Sequence, residues 1–310
     1  MTSTLHEAND DRATAPLTLS DGRILGYRVY GDPQGAPVYF FHGLPGSHEQ
    51  AALVTEQAAR AGVALVAFDR PGFGDSSPLP GAGFAAIVND TAELAAHLGH
   101  GRFAALGVSC GGPYALACAR LLGRRVTGVG LLAGIAPMDR PELRRGQLPP
   151  LRLMFGLARR HAWLINPLLA LDRLMFRSPE RAVRALAGLL TAPDRALLER
   201  DTQVRQRFGH SLARAYAQGI AGAREEARRI AGLGSDSLAD IHVPVQIYQS
   251  GQDRNVPPAM GAYMAAHLPT ARLHPRPAEG HLSIVVHCFE DCIRRLLPTQ
   301  VPHAADAPQL

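Results

Sequence analysis

The chain has 310 residues, 46% of them hydrophobic and 19% charged, which excludes an intrinsically disordered protein and allows one large domain with an inserted element or two ordinary domains. No apolar run approaches the roughly 20 residues of a membrane span, and the polar, acidic N-terminus lacks the basic and apolar regions of a secretory signal, so a cytoplasmic location is expected. The net charge is +5 and every one of the 32 basic residues is arginine, 18 of them in residues 137–240 against 11 acidic side chains there. A basic segment of this kind suits anionic substrates or acidic surfaces, or is simply a solvated arginine-rich helix face, and no nucleic-acid motif accompanies it.

Residues 1–15 read as a polar tail. "PLTLSDGRILGYRVYGDP" then holds two strand-like runs split by an Asp21-Gly22 turn, a hairpin. Strands and helices alternate after it: "APVYFFHG" a strand, "EQAALVTEQAARAG" a helix, "VALVAFD" a strand, "FAAIVNDTAELAAHLG" a helix stopped by Gly99. "RFAAL" is a buried strand, "PYALACARLLG" a helix, and "RVTGVGLLAG" a further strand. The alternation predicts an α/β fold with a mostly parallel sheet flanked by helices.

From residue 137 to 240 the strand signals stop, and arginine-rich helical segments broken by Pro149, Pro150, Pro167, Pro179 and Pro193 predict an inserted helical cap. Strands resume at "VPVQIYQSG", followed by a helix near "PAMGAYMAAHLP", a short strand "ARLHPRP" and a last helix from Ser283 to Leu297. The core is therefore expected in residues 16–136 and 241–298, with a loose tail at 299–310. Cys110, Cys118, Cys288 and Cys292 lie in no ligand-like pair and read as free thiols, so no metal is expected.

One stretch, "LGVSCGGPYALA", sets a serine between glycines where a strand turns directly into a helix. Such a turn crowds the backbone, and Gly107 and Gly111 remove the side chains that would collide. The spacing Gly107-x-Ser109-x-Gly111 is that of the nucleophile elbow, which exposes a serine oxygen at the carboxyl edge of a sheet. Beyond the helical insertion, "YQSGQDRNVP" places Asp253 in a loop after a strand, and "RPAEGHLSIV" places His281 in the loop after the next. Serine, acid and histidine in that order are the components of an acyl-transfer site.

With "HGLPGS" after the first parallel strand and "DRPGFGDS" after the second, these motifs resemble the α/β-hydrolase family over nearly the whole chain. The resemblance implies a catalytic triad of Ser109, Asp253 and His281, with Asp139 as a second candidate for the acid. It further implies backbone N–H donors from Leu44 and Cys110 to an oxyanion, a structural His42-Gly43 turn, and an architectural role for Asp69 to Ser76. A serine at the elbow, rather than the aspartate that resembles dehalogenases and epoxide hydrolases, points to hydrolysis of a carboxylic ester or related acyl bond in a small or medium organic molecule, without a cofactor. A C–C bond hydrolase, a proline-type aminopeptidase, a lyase of the hydroxynitrile type, and a ligand-binding protein with an idle triad share these residues. An aminopeptidase calls for cap carboxylates, but Glu225 and Glu226 beside Arg224, Arg228 and Arg229 read as helix-face ion pairs. Trp163 and Met175 are candidate pocket walls, and nothing in the sequence sets the oligomeric state.

Overall fold

The opening runs pair into a hairpin: β1 (Ala15–Thr18) lies antiparallel to β2 (Ile24–Gly31), and between them Gly22 takes φ 83°, a conformation glycine adopts without penalty. These observations come from a computed structural model that describes residues 15–235 and 238–297. The two expected tails lie outside the described residues, except Ala15, which opens β1.

The next strands, β3 (Ala36–Phe41), β4 (Val63–Phe68), β5 (Phe103–Val108) and β6 (Val126–Leu132), form mutually parallel neighbours. β4 and β5 are buried along their whole length, as expected of apolar runs covered on both faces. Helices α1 (Thr55–Arg60), α2 (Phe84–His97) and α3 (Gly112–Leu122) connect them. The run from Glu49 to Gly62 is not one helix. Residues His48–Val54 wind as a 3₁₀ helix before α1, because Asp69 takes the His48 N–H at 2.7 Å and Tyr30 Oη meets His48 Nδ1 at 2.9 Å.

After β6 come six helices: α4 (Pro149–His161), α5 (Asn166–Met175), α6 (Pro179–Leu186), α7 (Ala192–Arg200), α8 (Thr202–Ala215) and α9 (Ala221–Ala231). The prolines that interrupt this segment stand in the first turns of α4 to α7, where a missing N–H costs nothing. The chain returns to the sheet through β7 (Val245–Ser250), α10 (Pro258–His267), β8 (Ala271–Arg276) and α11 (Ser283–Leu296).

The sheet order is β1-β2-β4-β3-β5-β6-β7-β8, antiparallel at β1/β2 and β2/β4 and parallel elsewhere. Alternate residues serve opposite faces: Phe41 packs with Phe68 and Tyr114 on one, Phe40 with Leu106 and Phe289 on the other. β3 lies between β4 and β5, so successive connections leave it in opposite directions, and that reversal opens a crevice at the strands' carboxyl ends. In register, Phe41 pairs with Gly107, which sets the turn after β3 beside the turn after β5.

Candidate active site

The turn out of β5 is as crowded as its glycines suggest. A Cβ on Gly111 would stand 2.0 Å from the Phe41 carbonyl oxygen, and one on Gly107 would stand 2.5 Å from the Gly112 Cα. Ser109 between them holds φ 53°, a left-handed conformation that costs a non-glycine residue about 1–3 kcal/mol. Its carbonyl accepts the Ile135 N–H at 3.0 Å, which ties the turn to the segment after β6.

Asp253 leaves β7 fully covered and bonds in two directions. Its Oδ1 accepts the N–H groups of Asn255 (2.7 Å) and Val256 (2.9 Å), and its Oδ2 meets His281 Nδ1 at 2.7 Å. Asp253 is therefore not the cap of α10, whose N-cap is Pro257. Burial alone would push the His281 imidazole down; the Asp253 carboxylate, by charge and hydrogen bond, and the Asp194 charge outweigh it and raise the pKa. Asp139 is exposed, accepts from Ser235 Oγ at 3.2 Å, and is not brought to the histidine.

Ser109 and His281 share one cavity of about 210 Å³, roofed by α4, α5, α6 and α8 and closed at the sheet edge by Leu44 and Cys110. Among the described residues no hydrogen bond joins the serine hydroxyl to the ring. The Cys110 thiol belongs to the apolar cluster with Phe41 and Tyr114, and burial pushes its pKa up to about 12. Trp163 does not wall this cavity: it is 64% exposed on the outer side of the helical segment. Met175 packs against the apolar core instead, and Leu168 and Phe176 take the wall position from the same stretch.

The turn after β3 is held from below. His42 Nδ1 donates to the Gly43 carbonyl at 2.8 Å, and His42 Nε2 accepts the Arg70 N–H at 3.3 Å. Burial, then the Arg70 charge, keep that imidazole neutral, well below its ordinary pKa. Gln50 Oε1 takes the Gly43 N–H at 2.6 Å. Arg70, fully buried, gives Nη1 to the His42 carbonyl (2.6 Å) and Nη2 to that of Gly43 (3.2 Å), while its Nε meets Glu226 Oε2 at 2.7 Å. The expectation of helix-face ion pairs holds for Glu225, which meets Arg228; Glu226 does pair with Arg229, at 4.0 Å, but fully buried under the turn rather than on an exposed face. Its place on the apolar stripe of Ala223, Ala227 and Ile230 is the signal in the sequence that could have shown this.

A second carboxylate that sequence reasoning missed is Asp194 on α7. Its Oδ1 accepts the N–H groups of Leu282 and Ser283, both at 2.9 Å, and its Oδ2 accepts the His281 N–H (3.0 Å) and the Thr191 hydroxyl (2.8 Å). The helical segment thus reaches the turn after β3 through Glu226 and the histidine loop through Asp194, and Gln147 Nε2 donates to the Asn255 carbonyl beside Asp253 at 2.9 Å. Among the described residues, one trio of potential metal ligands, His48, Asp69 and Asp75, lies within 4.8 Å. Asp69 there already accepts the N–H groups of His48 and Asp75, and Asp75 pairs with Arg214.

A family model described as alpha/beta hydrolase fold matches residues 36–287. Among solved structures, a hydrolase from Pseudomonas aeruginosa is 23% identical, with 93% of this chain and 99% of that one covered and a TM-score of 0.69. A thermophilic esterase from Thermogutta terrifontis is 22% identical over 91% of this chain and 98% of its own, with a TM-score of 0.64. An enol-lactonase from Burkholderia xenovorans is 20% identical over 91% and 99%, also at 0.64. At these identities the likeness is one of fold.

Proposed function

The chain belongs to the alpha/beta hydrolase fold family, and on that premise we propose that it is a serine hydrolase cleaving a carboxylic ester, or a related acyl bond, of a small or medium organic molecule. The observation that carries this reading is the 2.7 Å Asp253–His281 bond on the wall of the cavity that Ser109 enters in a strained conformation. His281 accepts the Ser109 proton as the hydroxyl attacks the carbonyl, and Asp253 holds the ring with Nδ1–H toward itself and Nε2 free for that proton. The backbone N–H groups of Leu44 and Cys110 receive the oxyanion. Protonated His281 then releases the leaving group, and water, activated by the same imidazole, cleaves the acyl-enzyme.

In this reading residues 137–240 act as a cap that shapes an apolar binding space, supported by the leucine and phenylalanine side chains that line it. Among the described residues no helix is long and apolar enough to cross a membrane, which fits the proposed cytoplasmic location. Turnover of a series of p-nitrophenyl esters tests the reading. Ser109→Ala and His281→Ala should each lower kcat by several orders of magnitude in a folded protein. Near wild-type rates in either variant would remove that residue from the mechanism.

A further inference from the structure

Most of the polar side chains lining the Ser109 cavity are engaged in holding the loops around it, whereas Arg254, Asn255 and Asp172 have no such task. His281 is held by Asp253, Asp194 accepts from four donors, Thr191 donates to Asp194, and Gln50 holds Gly43. Arg254 lies exposed. The remaining carboxylate is Asp172 on α5, whose side chain has a single partner among the described residues, the Tyr216 hydroxyl at the long distance of 3.4 Å.

Asp172 is half-buried, with one oxygen left open to the cavity. Leu168, Asp172 and Phe176 are spaced at i, i+4 and i+8, and all three line the cavity together with Leu186, Phe208 and Leu212. An acidic residue in the middle of an apolar stripe opposes the packing around it, a conflict that marks a functional position. Burial pushes the Asp172 carboxyl up to about 6, with the Tyr216 hydrogen bond acting weakly the other way and no neighbouring charge contributing. Arg173 and Arg177 on the same stretch are exposed.

We propose that Asp172 forms a substrate subsite for a primary ammonium group, so that the cavity selects molecules carrying an alkylamine away from the bond that Ser109 attacks. An ionised carboxylate only accepts hydrogen bonds, and an ammonium supplies donors and the missing charge together. The apolar walls take the alkyl chain. This inference rests on the reading that the Ser109 cavity is the substrate site.

The test is calorimetric binding of n-hexylammonium and n-hexanol, which does not require turnover. The wild type should bind the ammonium about 10- to 100-fold more tightly than the alcohol at pH 7.5, the range of a charge-assisted hydrogen bond. With a carboxyl of pKa about 6, affinity for the ammonium should fall about tenfold at pH 5, where Asp172 is protonated, while that for the alcohol stays constant. The near-isosteric Asp172→Asn should lose the preference and keep its affinity for hexanol. Equal affinities in the wild type, a preference that survives in Asp172→Asn, or one that is no smaller at pH 5 than at pH 7.5 would each overturn the proposal. If hexylammonium binds as expected but a fluorophosphonate leaves Ser109 unmodified, the hydrolase reading fails and the subsite stands. A modified Ser109 with no ammonium preference sinks the subsite alone.

Discussion

Replacing Asp194 by asparagine tests whether the helical segment holds the histidine loop in place. The three amides at His281, Leu282 and Ser283 lead into α11, and the N-cap Leu282 offers no side-chain acceptor, so a carboxylate from α7 receives these donors instead. The fit is tight: a Cβ on Gly280 would lie 2.2 Å from Thr191 Oγ1 and 2.4 Å from Asp194 Oδ1. Asparagine in the same rotamer keeps its oxygen on Leu282 and Ser283 but turns its NH₂ toward the His281 N–H, donor against donor. One buried amide left unpaired costs about 1–3 kcal/mol, and the lost charge at a helix start adds up to about 1–2 kcal/mol. The variant should therefore be about 2–4 kcal/mol less stable in denaturant unfolding. The Asp194 charge also helps raise the His281 pKa. Without it the acid limb of kcat/KM for an aryl ester, where His281 must be deprotonated to act as base, should move to lower pH. Wild-type stability together with an unmoved acid limb would refute the argument.

Other substitutions probe the rest of the site. Asp253→Asn should lower aryl-ester turnover by about four orders of magnitude, the known effect of losing the orienting carboxylate, whereas Asp139→Asn, at an exposed position, should leave it intact; the reverse pattern would reassign the acid. Glu226→Ala leaves the buried Arg70 guanidinium without its counter-charge and should cost about 3–5 kcal/mol in unfolding experiments; a near-neutral result would show that water replaces the carboxylate. Cys110→Ala should keep most activity, because the thiol belongs to the buried apolar cluster and the substitution leaves the proposed backbone N–H donor in place; near-total loss in a folded variant would overturn that orientation.

The alternation of strands and helices was legible because each buried parallel strand, such as "VALVAF", is a short apolar run bounded by turn residues. The elbow was legible for a steric reason, since only glycine tolerates the 2.0 Å approach to the Phe41 carbonyl at position 111. Asp253 and His281 were legible through their order and loop positions, and Asp253 rather than Asp139 proved to be the histidine's partner. Asp194 and Glu226 act on residues 87 and 156 positions away in the chain, and local pattern carries no such pairing. Asp172 was hidden for another reason: an isolated aspartate among leucines reads as an exposed position, and its orientation toward the cavity depends on how α5 packs. The 3₁₀ winding at His48–Val54 likewise follows from bonds to Asp69 and Tyr30 rather than from local propensity.

Whether the serine at position 109 is activated is measured directly by the intact mass of the protein after treatment with a fluorophosphonate. The wild type should carry a single adduct that is absent from Ser109→Ala. A wild type that stays unmodified while folded, or an adduct that persists in Ser109→Ala, would contradict that activation.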